Sequence, residues 1–250
     1  ACSALLALSG VSGTDLGLRV TVALAVTAVA SGVALASVER RATNPLIDPR
    51  VLVLPGVVIG LGRAFAGYLV LFAPLVLFPT AFDQWGLDVA RGGLILTALP
   101  AGFAGAALLG NLLPGHLSNE HRLTGGAIVA TIAFVLLAIT WRSTLDAAVL
   151  LALVGAGLGL ALPANNAAVM SSVPRSFAAV TGGQVNVARA LGTSVGVALA
   201  TFGIHVAGRL DVSSPPLVLV ALAAITAMIA VTTLRAGPVG EVTHDGSLEL

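Results

Sequence analysis

The chain alternates between long unbroken apolar runs and short polar breaks. An α-helix needs about 17–25 apolar residues to cross a hydrocarbon core of about 30 Å, because it rises about 1.5 Å per residue. Breaks at charged, Pro or Gly positions leave seven such runs, at residues 19–38, 51–79, 92–113, 124–141, 147–169, 181–207 and 216–235. This pattern predicts an all-α, polytopic transmembrane helix bundle. The runs at 51–79 and 181–207 exceed the membrane thickness and are expected to tilt or to extend into the interface. Connectors of a few residues force sequential helices to run antiparallel. A β-barrel would instead show segments of about ten residues with alternating polarity, and the runs here are continuous. Residues 1–9 are apolar but too short to cross, so they read as the end of a helix and the chain as a fragment. With no basic leader before them, they do not read as a signal peptide. Residues 236–250 are polar and read as a mobile tail.

Composition strengthens this picture. The 250 residues are 57% hydrophobic and only 9% charged, too little polar surface for a domain whose outside faces water. Aromatics make up just 4%, so the apolar mass is Ala, Val, Leu and Gly, the mixture of closely packed membrane helices. All 12 basic residues are Arg and 11 acids nearly cancel them, which leaves no electrostatic footprint for a nucleic acid. The absence of Lys beside abundant Ala, Gly and Arg points to a GC-rich bacterial genome. The single cysteine, Cys2, cannot form an internal disulfide and reads as a small buried hydrophobe.

Arginine counts in alternate connectors set the orientation. If residues 39–50 are cytoplasmic, that side holds Arg40, Arg41, Arg50, Arg122, Arg175 and Arg235, and the other holds Arg19, Arg91, Arg142 and Arg209. The excess assigns the tail to the cytoplasm. Small residues recur at helical spacing in three stripes: Gly102, Ala106 and Gly110; Gly155, Gly159 and Pro163; Gly192, Gly196 and Ala200. Such stripes let backbones approach closely in lipid, and they are read as helix-packing surfaces.

Polar residues at membrane depth carry the candidate chemistry. Arg63 lies well inside its run, where a guanidinium costs at least about 2.5–3.5 kcal/mol on insertion scales. It is expected either to face a water-filled cavity or to pair structurally. Asn186, Arg189 and Thr193 share a helical face that could line a substrate path or bond to another bundle. Gln184 is expected at the interface. Asn165 and Asn166 follow Pro163; the helical wheel puts Asn166 on the Gly159 and Pro163 side and leaves Asn165 as the cavity candidate, with interhelical hydrogen bonding open to both. Tyr68 and His205 complete the set, and Trp85 and Trp141 read as interfacial anchors. No Asp or Glu falls in mid-span. Neither a nucleophile with its base, a phosphate loop nor a metal-ligand cluster is present, so no enzyme, cofactor or metal is expected.

Three stretches add a family resemblance. They are Glu39-Arg-Arg-Ala-Thr-Asn-Pro45-Leu46; Gly86-Leu-Asp-Val-Ala-Arg-Gly-Gly93 followed by Leu99-Pro100; and Val173-Pro174-Arg175 leading to Gln184-Val-Asn186-Val-Ala-Arg189-Ala-Leu-Gly192 and Gly196-Val-Ala198. In this order the chain resembles the carboxyl-terminal half of the major facilitator superfamily, in particular its fourteen-helix drug:proton antiporters. The cytoplasmic loop motif of that family is degenerate here, with Gly115, Asn119 in place of an Asp, and Arg122.

The resemblance implies that residues 1–38 hold the end of one central helix and a second complete one, 39–50 a cytoplasmic linker, and 51–235 a six-helix half. That half would consist of two inverted three-helix repeats, at 51–141 and 147–235. Arg63 and Asn165 would then lie on cavity helices, and Asn186 and Arg189 on a helix packed against the amino-terminal half. The implied function is proton-coupled efflux of hydrophobic or amphipathic drugs across a bacterial plasma membrane, with the bilayer, the amino-terminal half, protons and a small hydrophobic substrate as partners. An uptake permease and a non-transporting scaffold subunit are the alternatives.

Overall fold

The computed structural model describes residues 54–112, 118–141, 143–210 and 214–236, and Ala30 before them. The expected span at 19–38, the linker at 39–50, Cys2 and the tail from 237 onward lie outside the described residues. Among the described residues there is no strand. From residue 54 onward the described residues form seven α-helices: α1 (Pro55–Gln84), α2 (Val89–Leu96), α3 (Ala98–Leu112), α4 (Asn119–Ile139), α5 (Thr144–Ser171), α6 (Ala178–Leu210) and α7 (Ser214–Ala236). A single 3₁₀ turn, Arg175–Phe177, leads into α6. With α2 and α3 counted as one span, six segments are long and apolar enough to cross a bilayer. The protein is an all-α, multi-pass membrane protein.

Helix ends differ from the apolar runs because caps, and not hydropathy, determine them. The Ser118 hydroxyl accepts from the His121 N–H and starts α4 at Asn119, five residues before the run at 124–141. Ser143 does the same for α5 through the Asp146 N–H. At its other end α1 continues through Pro74 and Pro79 to Gln84, beyond the expected limit at residue 79. Neither proline has an N–H, yet the surrounding turns stay helical. Termination comes at Gly86, whose φ of 70° suits glycine, with the Gly86 N–H on the Asp83 carbonyl and the Leu87 N–H on that of Phe82. The α2–α3 span breaks at Thr97, whose hydroxyl bonds to the Leu94 carbonyl at 2.6 Å, just ahead of Pro100.

Glycines decide which helices touch. A Cβ added at Gly192 would overlap the Phe65 carbonyl and one at Gly196 the Leu69 carbonyl, so α6 lies backbone to backbone on α1. Both numbers rise together, which makes this pair parallel. Likewise Gly155 abuts Leu99, Gly159 abuts Phe103, and Gly102 abuts Ala152, so α5 and α3 form a second parallel pair. Gly110 packs instead against the Arg122 side chain of α4. Two positions outside the three stripes, Gly126 and Gly157, meet each other's carbonyls and seat α4 antiparallel on α5. Each has Ala four residues on, the small-x-x-x-small spacing that would have revealed them.

The described residues thus form two triplets of spans, α1 to α4 and α5 to α7, that run in opposite senses. The first helix of each triplet packs parallel on the second helix of the other. The third helices, α4 and α7, face each other, with the Thr131 and Thr226 hydroxyls 2.9 Å apart. Burial follows this arrangement: over an 18-residue apolar stretch of each span, 67% is buried in α1, but only 11% in α2–α3 and 22% in α6. Large apolar side chains such as Leu108, Ile139 and Leu145 point outward, as they do toward lipid. At one end Phe78, Phe82, Trp85 and Trp141 pack into a cluster, with the two indole rings edge to face at 5.0 Å. The two tryptophans thus anchor each other as well as the interface.

Candidate functional site

The polar side chains that the bilayer makes expensive collect on α1, α5 and α6. Arg63 stands eight residues into α1, about 12 Å along its axis. Its Nε donates to the Thr232 hydroxyl at 3.3 Å, while Thr232 itself donates to the Ile229 carbonyl on α7. Glu120, in the first turn of α4, acts on Arg63 electrostatically. Among the described residues Nη2 is buried without a hydrogen-bond partner. One guanidinium therefore joins α1, α4 and α7 at the end that the arginine count assigns to the cytoplasm. Sequence reasoning named Arg63 but neither partner. Glu120 falls between the apolar runs, and the Ser118 cap is what brings it into α4.

Asn165 is 1% exposed and donates its Nδ2 to the Gly60 carbonyl of α1 at 2.9 Å. It is buried between α1 and α5, so in this conformation it forms an interhelical hydrogen bond and does not face a cavity. Gly60 makes that contact possible, since a Cβ there would overlap Val169. Asn166 is half-buried, and the Oδ1 atoms of both asparagines lack a partner among the described residues. Removing the Asn165 amide leaves an extended helix contact one hydrogen bond short. Asn165→Ala is expected to lower the unfolding free energy in mixed micelles by about 1 kcal/mol, read from a denaturant titration followed by Trp fluorescence.

Gln184, expected at the interface, lies near the start of α6 and is buried against the bundle. It is 8% exposed and lies eight residues before Gly192 on α6, the helix that packs on α1. The parallel register of the two helices sets it level with residues 57–58, about one turn from Gly60. Both amide atoms are buried without a partner among the described residues, as is the hydroxyl of Thr181. Hydropathy sees a glutamine near a helix end; only tertiary packing buries it. Buried polar atoms without protein partners mark where water or a ligand group is held, and among the described residues they cluster at the inner ends of α1, α5 and α6 and on Arg122 of α4.

Above this layer Arg189 and Tyr68 meet. Tyr68 is 7% exposed, one turn beyond the Phe65 and Gly192 contact, and the Arg189 guanidinium stands 5.0 Å from its ring centroid. Such a cation–π contact stabilises by about 0.5–2 kcal/mol. Arg189 and Asn186 are exposed and Thr193 is half-buried on the same face of α6. His205 belongs to the last part of α6, and its side chain lies outside the described residues.

Elsewhere, a cavity of about 240 Å³ opens between the end of α1 and α2, lined by Phe82, Asp83, Leu87 and Leu96 among others. None of the candidate side chains reaches it. Among the described residues no three His, Cys, Asp or Glu side chains are placed to hold a metal ion. The arrangement is suited to hydrogen bonding and charge recognition inside a bilayer. Compared with models of known protein families and with curated proteins, the sequence finds no match.

Proposed function

We propose that the protein supplies one six-helix half of a secondary active transporter of the major facilitator type, which exports hydrophobic or amphipathic small molecules in exchange for protons by alternating access. The observation that carries this reading is the exchange of helices between the two triplets, α1 on α6 and α5 on α3, in opposite membrane orientation. Inverted repeats of this kind underlie transporters whose substrate site lies between repeats near the bilayer midplane. In this reading α1 and α5 form the cavity wall, and the polar layer of Asn165, Asn166, Thr181 and Gln184 admits water at the inner end. The thinly buried α3 and α6 receive the amino-terminal half. A bacterial plasma membrane is the proposed location.

Among the described residues no carboxylate stands in mid-membrane, so the proton-carrying acid is assigned to the other half. The test is flux in proteoliposomes of the full-length protein under an imposed pH gradient, with the neutral dye N-phenyl-1-naphthylamine as substrate. Dye moving against the direction of proton flow, and stopping on addition of a protonophore, is the expected result. Dye moving with the protons would favour an uptake permease, and no flux under any gradient would favour a scaffold.

A further inference from the structure

Within the helix interiors of the described residues the fixed charge has a single sign. Among the described residues the acids sit at helix ends: Asp83 in the last turn of α1, Asp88 before α2, Glu120 in the first turn of α4, Asp146 in that of α5. The interiors hold Arg63 and Arg189. Arg63 is engaged by Thr232 and Glu120. Arg189 is not so engaged: it stands eleven residues into α6, level by the parallel register with residue 62 of α1, and is exposed, with the Tyr68 ring as its one hydrogen-bond, ion-pair or ring contact among the described residues.

A guanidinium at that depth must meet water or an anion, because its five N–H donors find no acceptor in lipid. The Tyr68 ring has neutral π density to offer and leaves those donors unsatisfied. It does restrict where the guanidinium can go, and Asn186 and Thr193, one turn to either side, add an amide and a hydroxyl on the same face. A planar fork of donors held at one spot matches the paired oxygens of a carboxylate, sulfonate or phosphate.

We infer that Arg189, positioned by Tyr68, is the anchor for the acidic headgroup of an amphipathic anion, so that the ligands held at this place are hydrophobic acids. This inference rests on the transport reading above for the fate of the ligand, but binding can be measured without transport. The probes are 8-anilinonaphthalene-1-sulfonate and N-phenyl-1-naphthylamine, which share their rings and differ by the sulfonate. Saturable binding of each is titrated to the full-length protein in nanodiscs of neutral phosphatidylcholine.

Arg189→Gln is expected to weaken the sulfonate about tenfold, the cost of losing a charge-assisted pair, and to leave the neutral probe within about twofold. Arg189→Lys, which keeps the charge and guards against a folding artefact, should fall between. Tyr68→Leu should weaken the sulfonate about threefold by freeing the guanidinium. Equal weakening of both probes by Arg189→Gln would overturn the inference and make Arg189 the partner of a protein carboxylate. So would an unchanged sulfonate affinity, or no saturable sulfonate binding in the wild type. Gradient-driven flux of either probe without Arg189-dependent sulfonate binding sinks the anion site alone; Arg189-dependent sulfonate binding without gradient-driven flux of either probe sinks the transport reading alone.

Discussion

Gly196→Leu is expected to separate α1 from α6 and to abolish the assembled bundle. A Cβ at this position already overlaps the Leu69 carbonyl, and a backbone atom cannot swing aside as a side chain can. The helices must move apart, forfeiting the close backbone contact that lipid gives no other reason to form. Overpacking of this kind costs roughly 1–3 kcal/mol and sometimes more, a large share of a marginal folding free energy. Gly155→Leu should behave alike, because it meets the Leu99 carbonyl in the equivalent pair of α5 and α3. Gly182→Leu and Gly183→Leu are the controls: nothing lies within 4 Å of a Cβ at either site among the described residues. Monodisperse yield after detergent extraction, followed by thermal melting, checks the set. Equal yields for all four variants would show that the glycine contacts do not hold the bundle together.

Arg63→Ala is expected to reduce flux tenfold or more and to weaken the bundle by about 1–2 kcal/mol. The reference state for a membrane protein is its helices apart in lipid, where the guanidinium has neither Thr232 nor Glu120. Folding gives it both, so deletion removes a favourable interaction made on assembly. In the proposed cycle the three inner helix ends that Arg63 joins must move together, and the variant uncouples them. A double-mutant cycle with Glu120→Gln separates this from a general loss of fold. The double variant should be little worse than either single one, with a coupling of about 1 kcal/mol. Strict additivity would show that the two side chains act independently.

How far these residues could be found in advance depends on what each one reports. The six spans were visible because lipid demands continuous apolar length, a one-dimensional property. The stripes at Gly155, Gly159, Gly192 and Gly196 were visible for a similar reason, since small residues four apart must share a helix face. Gly126 and Gly157 carried the same signal through Ala130 and Ala161 and were overlooked. Helix ends were misplaced at Asn119 and Gln84 because a serine cap and a glycine turn override hydropathy. Arg63 was singled out from its cost, but its partners come from positions 57 and 169 residues away, and no local pattern encodes such distances.

The order of apolar and polar residues by itself determined that this chain crosses a membrane repeatedly as helices, since buried backbone in lipid can be satisfied in few other ways. It also determined which side chains would be costly there. Only the tertiary structure decided the parallel pairings of α1 with α6 and α5 with α3, the burial of Gln184 and Asn165, and the exposure of Arg189 over Tyr68. Helix length is set by the solvent, residue by residue; neighbours are set by which backbones can come closest, and that depends on all the helices at once.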